Sequence, residues 1–189
     1  MLSRSDLEQV PNLHLHNLPN HVAAVTTDSR SIPPQSLFVA LRGERHDAHT
    51  YVNQALDSGA AACLVDQAWF GQNLPRAAGL PLIVVPDTTL ALGHLATIYR
   101  SKFQIPVVAI AGSNGKTSTK ELTAHLLSQH YYVLKTEGNF NNHIGVPLTL
   151  FRSQVIEQFA FGFGYTFQVF KKLQMFLANV SDQSVRWFQ

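Results

Sequence analysis

The sequence predicts an α/β protein in two parts: a small module of short strands and one helix up to about residue 86, then the beginning of an incomplete parallel sheet. Three observations carry this. Up to Val85, short apolar segments alternate with turn signals, and three of the four are rich in Val or Ile, as buried parallel or mixed strands are. Past Pro106, an apolar run, a glycine-containing turn and a helical pattern follow in that order, VVAIAGSNGKTSTKELTAHLL. The composition is globular: 46% of the 189 residues are hydrophobic and 14% are charged, against about 25% charged in an average soluble domain. That excludes a chain kept disordered by self-repulsion.

The candidate strands of the first part are residues 22–26, 36–41, 61–65 and 82–85. Between the second and third, Val52, Ala55 and Leu56 recur at helical spacing and Gly59 follows as a C-cap, which predicts a short amphipathic helix over 51–58. Asp87 is placed to cap a helix running to about Lys102, with Ala91, Leu95 and Ile98 on one face. The strand after Pro106 leads through the glycine turn into a helix that buries Leu122, Leu126 and Leu127. Residues 132–135 are expected to form the next strand. Residues 146–150 are expected to form a helix that opens after Pro147. From Phe151 on, the chain holds eight of its twelve Phe but only two of its twelve acidic residues. No α/β periodicity continues there, so 151–189 reads as a divergent tail; its aromatic run 159–167 reads as irregular packing, since no Lys or Arg is interleaved to make a nucleic-acid platform.

The net charge of +2 is small, and Lys171-Lys172 is the only adjacent basic pair, so nothing argues for a nucleic-acid partner. The single cysteine, Cys63, sits in an apolar run and reads as a buried small hydrophobe in a reducing compartment. The first residues hold no apolar signal region, and no window reaches the ~18 apolar residues of a membrane span. The expected location is cytoplasmic. His14 and His16 alternate with leucines in a short strand or turn without a zinc spacing.

The sharpest chemical signal is Gly112, Ser113, Asn114, Gly115, Lys116 and Thr117 between an apolar strand and a helix. A helix start presents unpaired N–H groups and the positive end of its dipole, and glycines let that backbone close around a polyphosphate. Lys116 supplies a point charge for the β- and γ-phosphates, and the Thr117 hydroxyl a ligand for Mg²⁺. The strict phosphate-loop pattern is not met, because Ile110 stands where its first glycine would be. The stretch AGSNGKTSTKE resembles the nucleotide loop of the Mur ligases and their folylpolyglutamate synthase relatives, which depart from the pattern in the same way. Upstream, Thr27-Asp28-Ser29-Arg30 and Gly43-Glu44-Arg45-His46-Asp47-Ala48-His49 resemble the amino-terminal Mur ligase domain, which holds the UDP part of the precursor. Downstream, KTEGNFNNHIGVP most resembles the family member that joins D-alanyl-D-alanine to UDP-N-acetylmuramoyl-tripeptide.

The resemblance implies residues 1–86 as the UDP-substrate domain and 87–150 as the start of the central ATP-binding domain. It implies ATP and Mg²⁺ as cofactors, with the UDP-linked tripeptide and D-alanyl-D-alanine as small-molecule substrates. It also implies an amide-forming ligation in which ATP phosphorylates a peptide carboxylate and an amine attacks the acyl phosphate. Lys116 and Thr117 would be catalytic, and Gly112 through Ser118 would bind ATP. Neutralising the transferring phosphoryl group is electrostatic preorganisation rather than covalent catalysis by the protein. Ser29, Arg30, Arg42 and Arg45 are candidates for the UDP moiety, since arginine forks suit phosphate; the alternative is a turn at Asp28 with a solvated arginine rim. Asn139, Asn142 and His143 are candidates for ATP or the muramoyl substrate, the alternative being asparagines that bind their own loop.

Past Arg152 the resemblance stops, whereas family members continue with an acidic magnesium ligand and a third domain. The expectation is a truncated or frameshifted ligase chain, inactive alone, whose first module folds while its partial ATPase domain is marginal. Three other readings stand beside it: a Mur ligase with another amino-acid specificity, which the asparagine-rich loop argues against; a non-catalytic nucleotide- or precursor-binding remnant; and an ordinary phosphate-loop kinase or NTPase, disfavoured by the missing first glycine and by an upstream module that has no role in one.

Overall fold

The chain opens with β1 (Leu2–Ser3), α1 (Arg4–Leu7), β2 (His14–His16), β3 (His21–Val22), β4 (Ala24–Thr26) and β5 (Ser36–Val39). A 3-10 turn at Ala48–Tyr51 leads into α2 (Val52–Asp57), followed by β6 (Ala62–Asp66), α3 (Gln67–Gln72), a second 3-10 turn (Arg76–Gly79), β7 (Leu82–Val85) and α4 (Thr88–Arg100). Then come β8 (Val107–Ile110), α5 (Lys116–Ser128), α6 (Gly145–Phe151) and β9 (Val185–Phe188). This computed structural model describes residues 1–43, 46–137, 142–152 and the backbone of 185–188. The described residues fall into two units, one comprising Met1–Lys102 with 142–152, the other beginning at Phe103.

The first unit is built on a five-stranded sheet in the order β2-β7-β6-β5-β4. β4 through β7 run parallel, and β2 lies antiparallel on β7. The register aligns Thr26 with Phe38, Phe38 with Cys63 and Cys63 with Leu82, so the carboxyl ends of four neighbouring strands share one edge. β5, β6 and β7 are buried along their whole length, as the continuous apolar runs of a parallel sheet covered on both faces require. Phe38, Cys63, Val65, Leu82 and Val84 pack with Val52 and Ala55 of α2. The alternate residues Leu37, Val39, Leu64, Ile83 and Val85, equally buried, point to the opposite face.

Helix α4 forms as its sequence predicts. The Asp87 carboxylate accepts from the N–H groups of Thr89 at 2.7 Å and Leu90 at 2.9 Å, and Ala91, Leu92, Leu95, Ala96 and Tyr99 make its buried stripe. It packs against α1, α6 and β6, with the Tyr99 and Phe151 rings 5.6 Å apart. Cutting Leu92 or Leu95 back to alanine would cost about 2–5 kcal/mol. At its end, Lys102 Nζ donates to Asp6 Oδ2 at 2.5 Å, tying α4 to the capping box that Ser3 and Asp6 make at α1.

Several expectations are corrected. The strand expected over 22–26 is two strands: Val22 pairs with Leu2 in a separate antiparallel ribbon, and the ladder with β5 begins at Ala24. Residues 132–135 form no strand. Their segment is held to α5 by Lys120 Nζ donating to the Thr136 carbonyl at 2.7 Å and by a Lys135–Glu121 ion pair. Leu122 and Leu126, expected in the core, are 60% and 45% exposed. Helix α6 begins two residues before Pro147, which sits in the first turn, where a missing N–H breaks no helical bond. Helices α1 and α3 are too short to show a period in the sequence, yet each is announced by a capping side chain, Ser3 and Asp66.

Candidate functional site

In the second unit, β8 runs into residues 111–115 and these into α5. Gly115 occupies the N-cap position with φ 75°, a left-handed conformation that costs a side-chain-bearing residue about 1–2 kcal/mol. No side chain caps α5, so the first-turn N–H groups face the exposed loop. Lys116 Nζ folds back over this loop, donating to the carbonyls of Gly112 at 2.6 Å and Ser113 at 3.1 Å. Gly112, Ser113, Asn114, Gly115, Thr117 and Ser118 are all exposed and Lys116 is half-buried. An ammonium, open amides and a hydroxyl thus meet at one helix start. That donor set fits an anionic polyphosphate with its metal ion, and it holds no acidic side chain that would repel one.

The first unit gathers a different set at the carboxyl edge of its sheet, where open α/β sheets bind ligands. After β4, Arg30 clasps Asp28 with Nε to Oδ1 and Nη2 to Oδ2, both 2.8 Å. The Arg30 hydrogen bonds lower the Asp28 carboxyl to about 2. Ser29 between them is half-buried. Past β5, Arg42 directs Nε at 3.2 Å and Nη2 at 2.8 Å to Asp66 Oδ2 at the end of β6, and its Nη1 lies 3.2 Å from Asp47 Oδ2. Behind Arg42 stands His49, its ring wholly buried. Its Nε2 accepts the Asp66 N–H at 3.0 Å, which leaves the proton on Nδ1 to be donated to Asp47 Oδ1 at 2.6 Å. Burial raises the Asp66 carboxyl, but the Trp69 N–H and Arg42 outweigh it and the net shift is downward. Asp47 is lowered in the same way, burial being outweighed by both His49 N–H groups and by Arg42.

Arg42 is therefore held between two carboxylates, an engagement that residue types alone do not disclose; Asp47, His49 and Asp66 join the candidate site only through the fold. A signal was present, since an acidic residue ending a wholly apolar strand and a histidine two residues after an aspartate both need polar partners when buried. Arg45 lies outside the described residues, as does Asn139. Asn142 accepts the N–H groups of Ile144 at 3.2 Å and Gly145 at 2.8 Å and so caps α6. His143 lines a groove of about 780 Å³ with Asp87, His94 and Val146, all in the first unit. The phosphate-type loop belongs to the second unit. Cys63 is buried, and burial pushes its thiol up to about 12. Among the described residues no helix is long and apolar enough to cross a membrane.

Comparison with known proteins gives a consistent result. Residues 21–100 match the family described as Mur ligase family, catalytic domain, and residues 110–164 match the Mur ligase middle domain. The UDP-N-acetylmuramoyl-tripeptide--D-alanyl-D-alanine ligase of Escherichia coli is 47% identical over 148 residues, covering 78% of this chain and 31% of that protein. Its counterpart from Haemophilus influenzae is 43% identical over 164 residues, covering 84% and 35%. Among solved structures, a UDP-N-acetylmuramoylalanyl-D-glutamyl-2,6-diaminopimelate--D-alanyl-D-alanyl ligase from Acinetobacter baumannii matches with TM-score 0.66 and 37% identity over 79% of this chain and 33% of its own. MurF ligase from Thermotoga maritima in complex with ADP matches with TM-score 0.60 and 30% identity, covering 69% and 29%. The chain spans about a third of the length of these relatives.

Proposed function

We infer, since this chain belongs to the Mur ligase family, that it carries the nucleotide loop and the UDP-precursor module of the ligase that joins D-alanyl-D-alanine to UDP-N-acetylmuramoyl-tripeptide. Residues 1–86 are the precursor domain in this reading and 87–150 begin the ATP-binding domain, with α4 and α6 of that stretch packed into the first unit. Its place is the cytoplasm, where nucleotide-linked precursors are made. One observation carries the nucleotide part: the strand, left-handed Gly115 and uncapped α5, with Lys116 Nζ resting on loop carbonyls at 2.6 and 3.1 Å. Phosphate oxygens are stronger acceptors than those carbonyls, so the ammonium is poised to exchange them for a polyphosphate.

Residues 112–118 would hold the ATP phosphates and Thr117 would contribute a hydroxyl to Mg²⁺. The bound metal supplies charge neutralisation for phosphoryl transfer. Once the polyphosphate is bound, Lys116 and the first-turn amides of α5 hold positive potential where charge spreads over the transferring group, with no further reorganisation at the moment of reaction. A peptide carboxylate oxygen, in a group that is a poor electrophile by itself, takes the γ-phosphoryl group as ADP leaves, and the dipeptide amine attacks the resulting acyl phosphate, forming the amide as phosphate leaves. Ser29, Arg30, Arg42 and Arg45 serve the UDP end, and Asn139, Asn142 and His143 the ATP or muramoyl end.

Equilibrium titration of Mg-ATP against the chain and its Lys116→Ala variant tests this. Binding that weakens at least a hundredfold in the variant supports the reading, and equal binding sinks it. ADP release that depends on both precursor and dipeptide separates a ligase from the second reading, a binding remnant without turnover.

A further inference from the structure

We propose that His49 and Asp47 are positioning residues for the UDP-linked precursor, acting through Arg42 at the carboxyl edge of the first unit's sheet. The proposal rests on the reading that this edge takes the precursor. Arg42 has five N–H donors; its Nε and Nη2 are turned to Asp66 and its Nη1 to Asp47. About half of the side chain, 54%, still faces solvent. Its outward N–H groups are therefore presented in a fixed plane instead of sweeping through the rotamers of a free arginine.

His49 ties together the two segments that carry these carboxylates, the Asp66 carboxylate being held in addition by the Trp69 N–H at 2.7 Å. The ring receives the backbone N–H of Asp66 on one nitrogen and gives its proton to Asp47 on the other. It thus spans the end of β6 and the turn that follows β5, and the isolated bridge between Arg42 and Asp47 closes that turn. The Asp47 carboxylate also accepts the His49 backbone N–H at 3.0 Å. A neutral imidazole with one donor and one acceptor is the chemistry needed at this point. Glutamine offers the same pair on a side chain of similar reach, and leucine offers neither.

The test is titration of UDP-N-acetylmuramoyl-tripeptide into the wild-type chain and His49→Leu, His49→Gln and Asp47→Asn, at a temperature where circular dichroism shows each folded. The expected result is affinity at least tenfold weaker for His49→Leu and within about threefold of wild type for His49→Gln. Asp47→Asn separates orientation from charge and remains decisive if His49→Leu does not fold. Loss of a negative charge alone would tighten an anionic ligand, whereas loss of the Arg42 anchor weakens it. Equal affinity in His49→Leu, or equal or tighter affinity in Asp47→Asn, overturns the positioning role and leaves the precursor site standing. A wild-type chain that does not bind the precursor overturns the site and the positioning role together.

Discussion

Replacing Gly115 by alanine isolates the contribution of one backbone conformation to nucleotide binding. Gly115 has φ 75°, and a Cβ built on it would meet nothing within 4 Å, so no clash confuses the outcome. The cost is that of holding alanine in the left-handed region, about 1–2 kcal/mol. A loop free to relax out of that conformation exposes its binding-competent shape only in the corresponding fraction of molecules, which lowers apparent affinity by that fraction. At 1.4 kcal/mol per decade the expected loss in Mg-ATP affinity is about 5- to 30-fold. Gly71→Ala is the control. It lies inside α3 with open space for a Cβ, and alanine there should stabilise the first unit by about 0.5–1 kcal/mol and leave ATP affinity unchanged. Calorimetric titration of Mg-ATP reads the first effect and thermal unfolding the second. Gly115→Ala binding Mg-ATP as tightly as the wild type would refute the argument that this turn shapes the phosphate site.

Further outcomes follow from the first unit. Asn142→Ala removes the acceptor for the Ile144 and Gly145 N–H groups and should cost about 1 kcal/mol in urea unfolding; an unchanged midpoint would show that the cap contributes nothing. Asp6, Asp47 and Asp66 all have folded carboxyls below the ordinary aspartate value, so the unfolded chain binds protons first. The stability they give is complete above that value, about 4, and is lost as the pH falls through the lower folded values. Urea midpoints at neutral pH and at about pH 3 should therefore differ, with the acid one lower. Cys63, buried with its thiol raised to about 12, should resist thiol reagents at neutral pH until the unit unfolds; immediate labelling of native protein would contradict its burial.

The elements legible in the sequence were those whose apolar pattern and punctuation agree. β7 is found at its expected bounds, and α4 has its Asp87 cap. The glycine turn before α5 was legible because a strand, two glycines and Lys116 fall in one order. The break at Ala23 was not, since 22–26 is one unbroken run and only the pairing of Val22 with Leu2 and of Ala24 with Ser36 divides it. Residues 132–135 show the converse: their apolar residues match a strand pattern, but a strand also needs a ladder, which is a tertiary property. For the candidate site, residue types were readable and partners were not. The sequence marks Arg42 as a phosphate-seeking arginine, while its engagement by Asp66, 24 positions away, follows from the parallel alignment of β5 and β6. His49 acquires its role in the same way, from an Asp66 N–H that the fold alone brings to it.

On the proposed function the chain carries two ligand sites, a nucleotide loop in the second unit and a precursor edge in the first. Amide hydrogen exchange with Mg-ATP and with UDP-N-acetylmuramoyl-tripeptide added separately tests it most directly. Mg-ATP should protect residues 112–119, and the precursor should protect residues 27–30 and 41–49. Protection of neither region, or of the same region by both ligands, would contradict the account.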